Sequence, residues 1–305
     1  MNKKKITIRE LVVFLGCSVK EVYGTVKDRY IDHLADVAHV DETTLDWVGA
    51  NNPAKQQIVE NSKALVVLTD IGVEYTETLR KSGKTLIVVD NPKMALAKVG
   101  NHFFVKQPTP GIHPTAVVAP DAMIGENVYV GPYTVIGKAE IGEGCIIDSN
   151  VRIYDDVKMG KNCRIKAGAV IGGEGFGFEK DENGNKFRFP QIGSVVMGND
   201  VEVGANTCID RGALSDTVIG DHTKINNLCH IAHNNVIGRN VTITGCVNVS
   251  GSNLIDDYVW IAPNASIRGY IHLGEGCTVG MGAVATKDIP AHETWVGNPA
   301  RKLEK

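Results

Sequence analysis

The sequence predicts a mainly β chain: a long parallel β-helix preceded by a small α/β domain. Two observations carry the β-helix. An aliphatic residue returns every six residues from Ile112 to about Val284. The composition is 43% hydrophobic but only 6% aromatic, with 33 glycines, which suits a solenoid filled by Ile, Val and small residues. A third observation sets the α/β domain apart, because residues 1–105 lack the repeat and carry continuous apolar runs instead.

The repeat fixes the larger part. From Ile112 the aliphatic residue returns at Val118, Ile124, Val130 and Ile136. After a one-residue slip it resumes at Ile141 and continues through Ile147, Ile153, Met159, Ile165 and Ile171. A second run takes Met197, Val203 and Ile209, then Ile219 through Val279. Six residues match neither the helical period nor the alternation of a lone strand. They match one flat face of a three-sided coil, so about 26 units make about eight or nine coils. At roughly 4.8 Å per coil the prism is on the order of 40 Å long.

The first domain is read from its runs. Ile6 to Gly16 predicts a short strand leading into a helix that stops at the glycine. Ala64–Leu68 and Thr85–Val89 read as strands buried on both faces. Val73–Lys81 between them reads as a short crossover helix, and Asp90-Asn-Pro92 opens a helix over Lys93–Val99. Gln107–Gly111 is the linker. The division is therefore 1–105, 106–285 for the β-helix, and a tail over 286–305.

A net charge of -3 provides no basic field for nucleic acid. No apolar run approaches the roughly 20 residues of a membrane span. The basic start, Met-Asn-Lys-Lys-Lys, is followed by Glu10 and Lys20 where a signal peptide needs an apolar core, so a cytoplasmic location is expected. No Cys-x-x-Cys pair occurs among the seven cysteines, and no metal site is expected. Cys145, Cys163, Cys229 and Cys277 fall in repeat slots filled elsewhere by Ala, Thr or Val, and read as small core residues.

Two interruptions of the repeat carry the functional information. Gly172–Gln191 is a loop holding Phe176, Phe178, Phe187 and Phe189, and Asp210–Asp216 enlarges one corner. Loops on a rigid scaffold are where ligands are usually held. Of nine histidines, His113, His222, His272 and His292 fall at solvated turns. His230 and His233, in Cys229-His-Ile-Ala-His-Asn234, lie close to both interruptions. His233 is third in its unit and should project from a corner, where an imidazole is suited to take a proton near neutral pH. No Gly-x-Ser-x-Gly, His-Glu-x-x-His or Walker lysine is present. Trp47, beside Gly49–Pro53, is suited to stack on a flat ligand or to serve in a core or lid.

The hexapeptide repeat resembles the left-handed β-helix acyltransferases, which are characteristically trimers with active sites between neighbouring prisms. Ile171-Gly-Gly-Glu-Gly-Phe-Gly-Phe178, Pro190-Gln-Ile-Gly193, Val201–Gly220 and Ile231-Ala-His-Asn234 are similar to one family among them. It is the UDP-3-O-acylglucosamine N-acyltransferases of lipid A synthesis, known as LpxD. That resemblance covers nearly the whole chain and implies a uridine-binding first domain. It puts His233 on the family's catalytic base, and Phe176 and Phe178 near the acyl and phosphopantetheine path. Trp47 falls where uracil is stacked, and Asn52, beside Asn51, where the base is contacted. His230 and Asn234 flank the base and join the substrate-binding set.

The chain departs from the family in three places. Asn226 stands where an aspartate is usual, and Tyr270 in Arg268-Gly-Tyr270 replaces a second histidine. The end, Trp295-Val-Gly-Asn-Pro-Ala-Arg301, resembles the tail of CoA-dependent sugar acetyltransferases, not the family's terminal helices. Trp295 and Arg301 are thus expected to touch the donor, and a backbone N–H near Gly245 or Gly251 to stabilise an oxyanion. The expected reaction is N-acyl transfer to a nucleotide-linked amino sugar from acyl carrier protein or CoA. A short acyl-CoA acting on a nucleotide-linked deoxyamino sugar for surface polysaccharide, and a non-enzymatic trimeric scaffold or binding module, are the alternatives.

Overall fold

A computed structural model of the chain describes residues 5–304. The basic start of the sequence, on which the signal-peptide comparison turns, lies largely outside the described residues. Two compact units are present, Met1–Gln107 and Pro108–Lys305.

The second unit is a left-handed parallel β-helix whose coils stack into three flat sheets. The first face runs upward from Gly111–Ile112, the second from Val117–Val118 and the third from Met123–Ile124. The second face holds nine strands, one per coil. Most strands are two residues long, the first residue facing out and the repeat aliphatic facing in. Thus Ile147, Ile165, Val203, Ile225, Ile243 and Ile261 stack on one another along the first face, each buried. Full burial of such a side chain stabilises by about 1.5–3 kcal/mol, and the regular stack repeats that gain in every coil. The four core cysteines are buried in the same interior, and burial pushes the Cys277 thiol up to about 12.

Corners turn through left-handed backbone, commonly at Asn or Asp, as at Asn127, Asn150 and Asn162. The corner between the second and third faces is different. Both interruptions leave from it: Val170–Gly173 enters the long excursion, and Cys208–Asp210 enters the enlarged turn. The excursion is ordered as an antiparallel hairpin of Phe178–Lys180 with Lys186–Arg188. Arg211 pins its base, donating from its backbone N–H to the Gly173 carbonyl at 2.8 Å and from Nε to the Gly172 carbonyl at 2.9 Å.

The last residues are not a free tail. Thr294–Val296 adds to the first face in parallel, Trp295 opposite Val279, and Arg301–Lys302 folds back on it antiparallel. Trp295 packs against the end of the core, because its position continues the inward column.

In the first unit Leu45–Trp47, Val66–Thr69 and Thr85–Val89 pair in parallel, with Val19–Tyr23 antiparallel at one edge. Thr7 caps the helix Ile8–Leu15 in a capping box with Glu10. The crossover helix is shorter than its polar stretch, Glu77–Lys81, because Thr76 caps it there. Asn91 caps the helix Pro92–Val99. Among the described residues no helix is long and apolar enough to cross a membrane.

Candidate active site

The corner between the second and third faces brings the chemistry-bearing residues into one column. His233 follows the strand His230–Ile231, Gly251 follows Asn248–Val249 one coil on, and Tyr270 follows Ser266–Ile267 the next coil on. Together with Ser250, Arg268 and Gly269, they line a cleft of about 450 Å³.

His233 is closely flanked. A Cβ placed on Gly251 would lie 2.8 Å from its Cε1 and 3.0 Å from its Nε2. A Cβ on Gly175, at the start of the excursion, would lie 2.9 Å from its Cβ and 3.0 Å from its Cδ2. The ring thus sits between two glycines where any larger residue would collide. Its Nδ1 lies 2.9 Å from the Asn234 side-chain oxygen. The Asn234 amide cannot be turned the other way, since its Nδ2 donates to the Ser215 carbonyl at 3.1 Å and its oxygen accepts from the Ala213 N–H at 3.0 Å. The proton therefore belongs on Nδ1, which leaves a lone pair on Nε2. Nε2 has no hydrogen-bond partner among the described residues.

His230 is differently partnered. Its Nε2 meets Asp210 Oδ2 at 3.0 Å. That hydrogen bond raises His230 above its ordinary value, against the opposing effect of partial burial. A histidine drawn toward its charged form by a carboxylate is less free to act as a base.

Gly251 carries the second useful group. Its N–H is engaged by no hydrogen bond among the described residues, whereas its carbonyl accepts from the Tyr270 N–H at 3.2 Å. Tyr270 is exposed and held at φ 62, a conformation that costs a non-glycine residue about 1–2 kcal/mol. Phe176 is 84% exposed beside the column and packs edge-on against Phe178, with Arg188 over the Phe178 ring.

Other expected residues lie elsewhere. Asn226 and Gly245 follow first-face strands and so occupy the corner between the first and second faces. Asn226 uses its side-chain oxygen on the Asn227 N–H. Trp295 packs its partly buried ring against the end of the core, with Nε1–H donating to Glu293 at 2.9 Å. Arg301 is exposed on the closing hairpin.

In the first unit, Trp47 lines a pocket of about 370 Å³ with Val37, Val40, Asp46, Ile58 and Lys63. Asn52 is not among its walls; its oxygen accepts from the Ala54 N–H at 2.9 Å and shapes the start of the helix Lys55–Asn61. Among the described residues no group of three or more His, Cys, Asp or Glu is placed to hold a metal ion.

Sequence reasoning passed over Ser250, Arg268 and Gln191. The first two were detectable from the coil period that links them to His233. Gln191 was not: its Oε1 is buried without a hydrogen-bond partner, 2.6 Å from where a Cβ of Gly175 would sit.

Comparison with known proteins agrees with this architecture. Residues 138–173 match the bacterial transferase hexapeptide (six repeats) family. The chain is 36% identical over 266 residues to UDP-3-O-acylglucosamine N-acyltransferase of Pseudomonas syringae pv. tomato, covering 80% of this chain and 72% of that one. To the enzyme of the same name from Pseudomonas savastanoi pv. phaseolicola it is 34% identical, covering 93% and 83%. Among solved structures, UDP-N-acetylglucosamine acyltransferase of Francisella novicida superposes with a TM-score of 0.58 at 27% identity, covering 63% of this chain and 68% of that one. The O-acyltransferase LpxA of Moraxella catarrhalis gives 0.56 at 27%, covering 63% and 73%. With this identity across most of both chains, and with a hexapeptide prism to match, the chain belongs to the UDP-3-O-acylglucosamine N-acyltransferase family of acyltransferases.

Proposed function

We propose that the chain transfers an acyl group from a thioester to the amine of a UDP-linked glucosamine-type sugar, with His233 as general base. The observation that carries the reading is the His233–Asn234 pair, which puts the proton on Nδ1 and leaves Nε2 free beside the cleft. The amine nitrogen attacks the thioester carbonyl carbon while Nε2 takes its proton. The Gly251 N–H, one coil away, stabilises the resulting oxyanion. Collapse expels the thiolate, which recovers the proton from the imidazolium, leaving an amide and a free thiol. Arg268 at the cleft wall is suited to an anionic group of either substrate.

The pocket beside Trp47 suits a nucleoside base, since its lining combines apolar Val37, Val40 and Ile58 with Asp46 and Lys63. The working unit in this reading is a homotrimer. Its support is the column of outward Val236 and Leu254, 44% and 46% exposed, stacked on the third face. The acyl donor is acyl carrier protein, through its phosphopantetheine arm, or CoA. An assay offering both thioesters with UDP- and dTDP-linked amino sugars tests the reading. Turnover of a UDP-amino sugar supports it; exclusive use of acyl-CoA with a dTDP-deoxyamino sugar favours the surface-polysaccharide alternative.

A further inference from the structure

Asn235 and Asn253 are the only fully buried asparagines among the described residues, at 0% and 2% exposure. They occupy one slot of the repeat, just before third-face strands. In other coils the slot holds Val157, Val195, Thr217 and Ile271. The fold therefore accepts apolar side chains there, and a buried amide needs another reason. The two asparagines lie in the coil of His233 and in the coil of Gly251.

Their hydrogen bonds converge on one carbonyl. Asn235 Nδ2 donates to the Ala232 carbonyl at 2.7 Å and to the Ser250 carbonyl at 3.0 Å. Asn253 Nδ2 donates to the same Ser250 carbonyl at 2.6 Å. Their oxygens accept the N–H groups of Asn253 and Ile271, both at 3.0 Å. The Ser250 carbonyl is thus drawn into the interior by two donors. It shares a trans peptide plane with the Gly251 N–H, and in such a plane the two groups point in opposite directions. Holding one inward aims the other outward, on the side of the cleft and of His233.

We infer that Asn235 and Asn253 form an internal clamp that aims the Gly251 N–H, and so act as positioning residues for the oxyanion donor. Two hydrogen bonds on the carbonyl also polarise the peptide, which strengthens its N–H as a donor. This rests on the acyl-transfer reading above. It extends the working machinery from the surface of the corner to its interior.

The test is Asn253→Val in the full-length protein, with Asn253→Asp beside it. Valine already fills the slot elsewhere; aspartate keeps the acceptor for Ile271 and loses the donor. Both variants should lower kcat by about 10- to 100-fold, part of what loss of an oxyanion donor costs. KM for the sugar nucleotide and the pH midpoint of kcat should stay put, because His233 is untouched. In protein labelled with ¹⁵N-glycine, the Gly251 amide resonance should move while that of Gly245, on the other corner, does not. Unchanged kcat overturns the inference, whether or not Gly251 moves. So does a loss of kcat in which both glycine resonances move, which marks general damage to the coils. If the wild-type protein transfers no acyl group, the acyl-transfer reading fails separately, and an unmoved Gly251 resonance still refutes the clamp.

Discussion

Two corners of the same coils make an informative contrast. Between the first and second faces, Asn226 turns back onto its own neighbour, and a Cβ on Gly245 would make only ordinary contacts, at 3.7 Å and beyond. Between the second and third faces, the same repeat carries the hairpin excursion, the enlarged turn, the clamped His233 and the tightly packed Gly251. Outside the two interruptions the backbone period is the same at both. What differs is the side chains that converge there and the asparagines behind them. A solenoid thus keeps its core regular and spends irregularity on one edge, where it costs the stack least.

The two glycines sharpen the contrast most. Gly251→Ala should depress kcat by about 10²-fold or more, because the new Cβ would lie 2.8–3.1 Å from three atoms of the His233 ring and displace it. Gly245→Ala meets nothing closer than 3.7 Å and should leave the ring in place. Steady-state kinetics on the pair decides this, and equal losses would erase the distinction between the corners.

Asn234→Gly comes next. Asn234 sits at φ 60, so glycine keeps the turn while removing the oxygen that fixes Nδ1. A fall in kcat of about tenfold is expected, with the variant still folded, since the base loses its preferred tautomer. A circular dichroism melt alongside the rate separates this from unfolding.

The smallest effect belongs to His230. Its folded value is raised by Asp210, so the pair's contribution is fully present below the unfolded value of about 6.5 and is lost as pH rises through the raised folded value. The side chain is 44% exposed, so screening holds the effect below about 1 kcal/mol. The gap in Tm between wild type and His230→Gln should narrow from pH 6 to pH 8.5 or so. A gap that widened would mean the pair is not the source.

Much of the fold was legible because each coil spends one residue in six on an inward aliphatic, and that regularity survives in a single sequence. The breaks in the period pointed to the corner that the structure fills with glycines and aromatics. The strands Val19–Tyr23 and Leu45–Trp47 and the helix Lys55–Asn61 were not legible, since each is short and mixes polar with apolar residues. The resemblance of the tail points Trp295 toward the donor; the parallel pairing with Val279 shows that it also packs against the end of the core. Asn235 and Asn253 were hidden for a different reason. They sit in an ordinary interior slot, and an amide declares its purpose through partners that include the next coil.

The central claim is that His233 is the base at this corner, and the kcat of His233→Ala measures it most directly. A fall of about 10²–10⁴-fold, with the protein folded, is what a positioned general base predicts. An unchanged kcat would contradict it and would move the chemistry away from this corner.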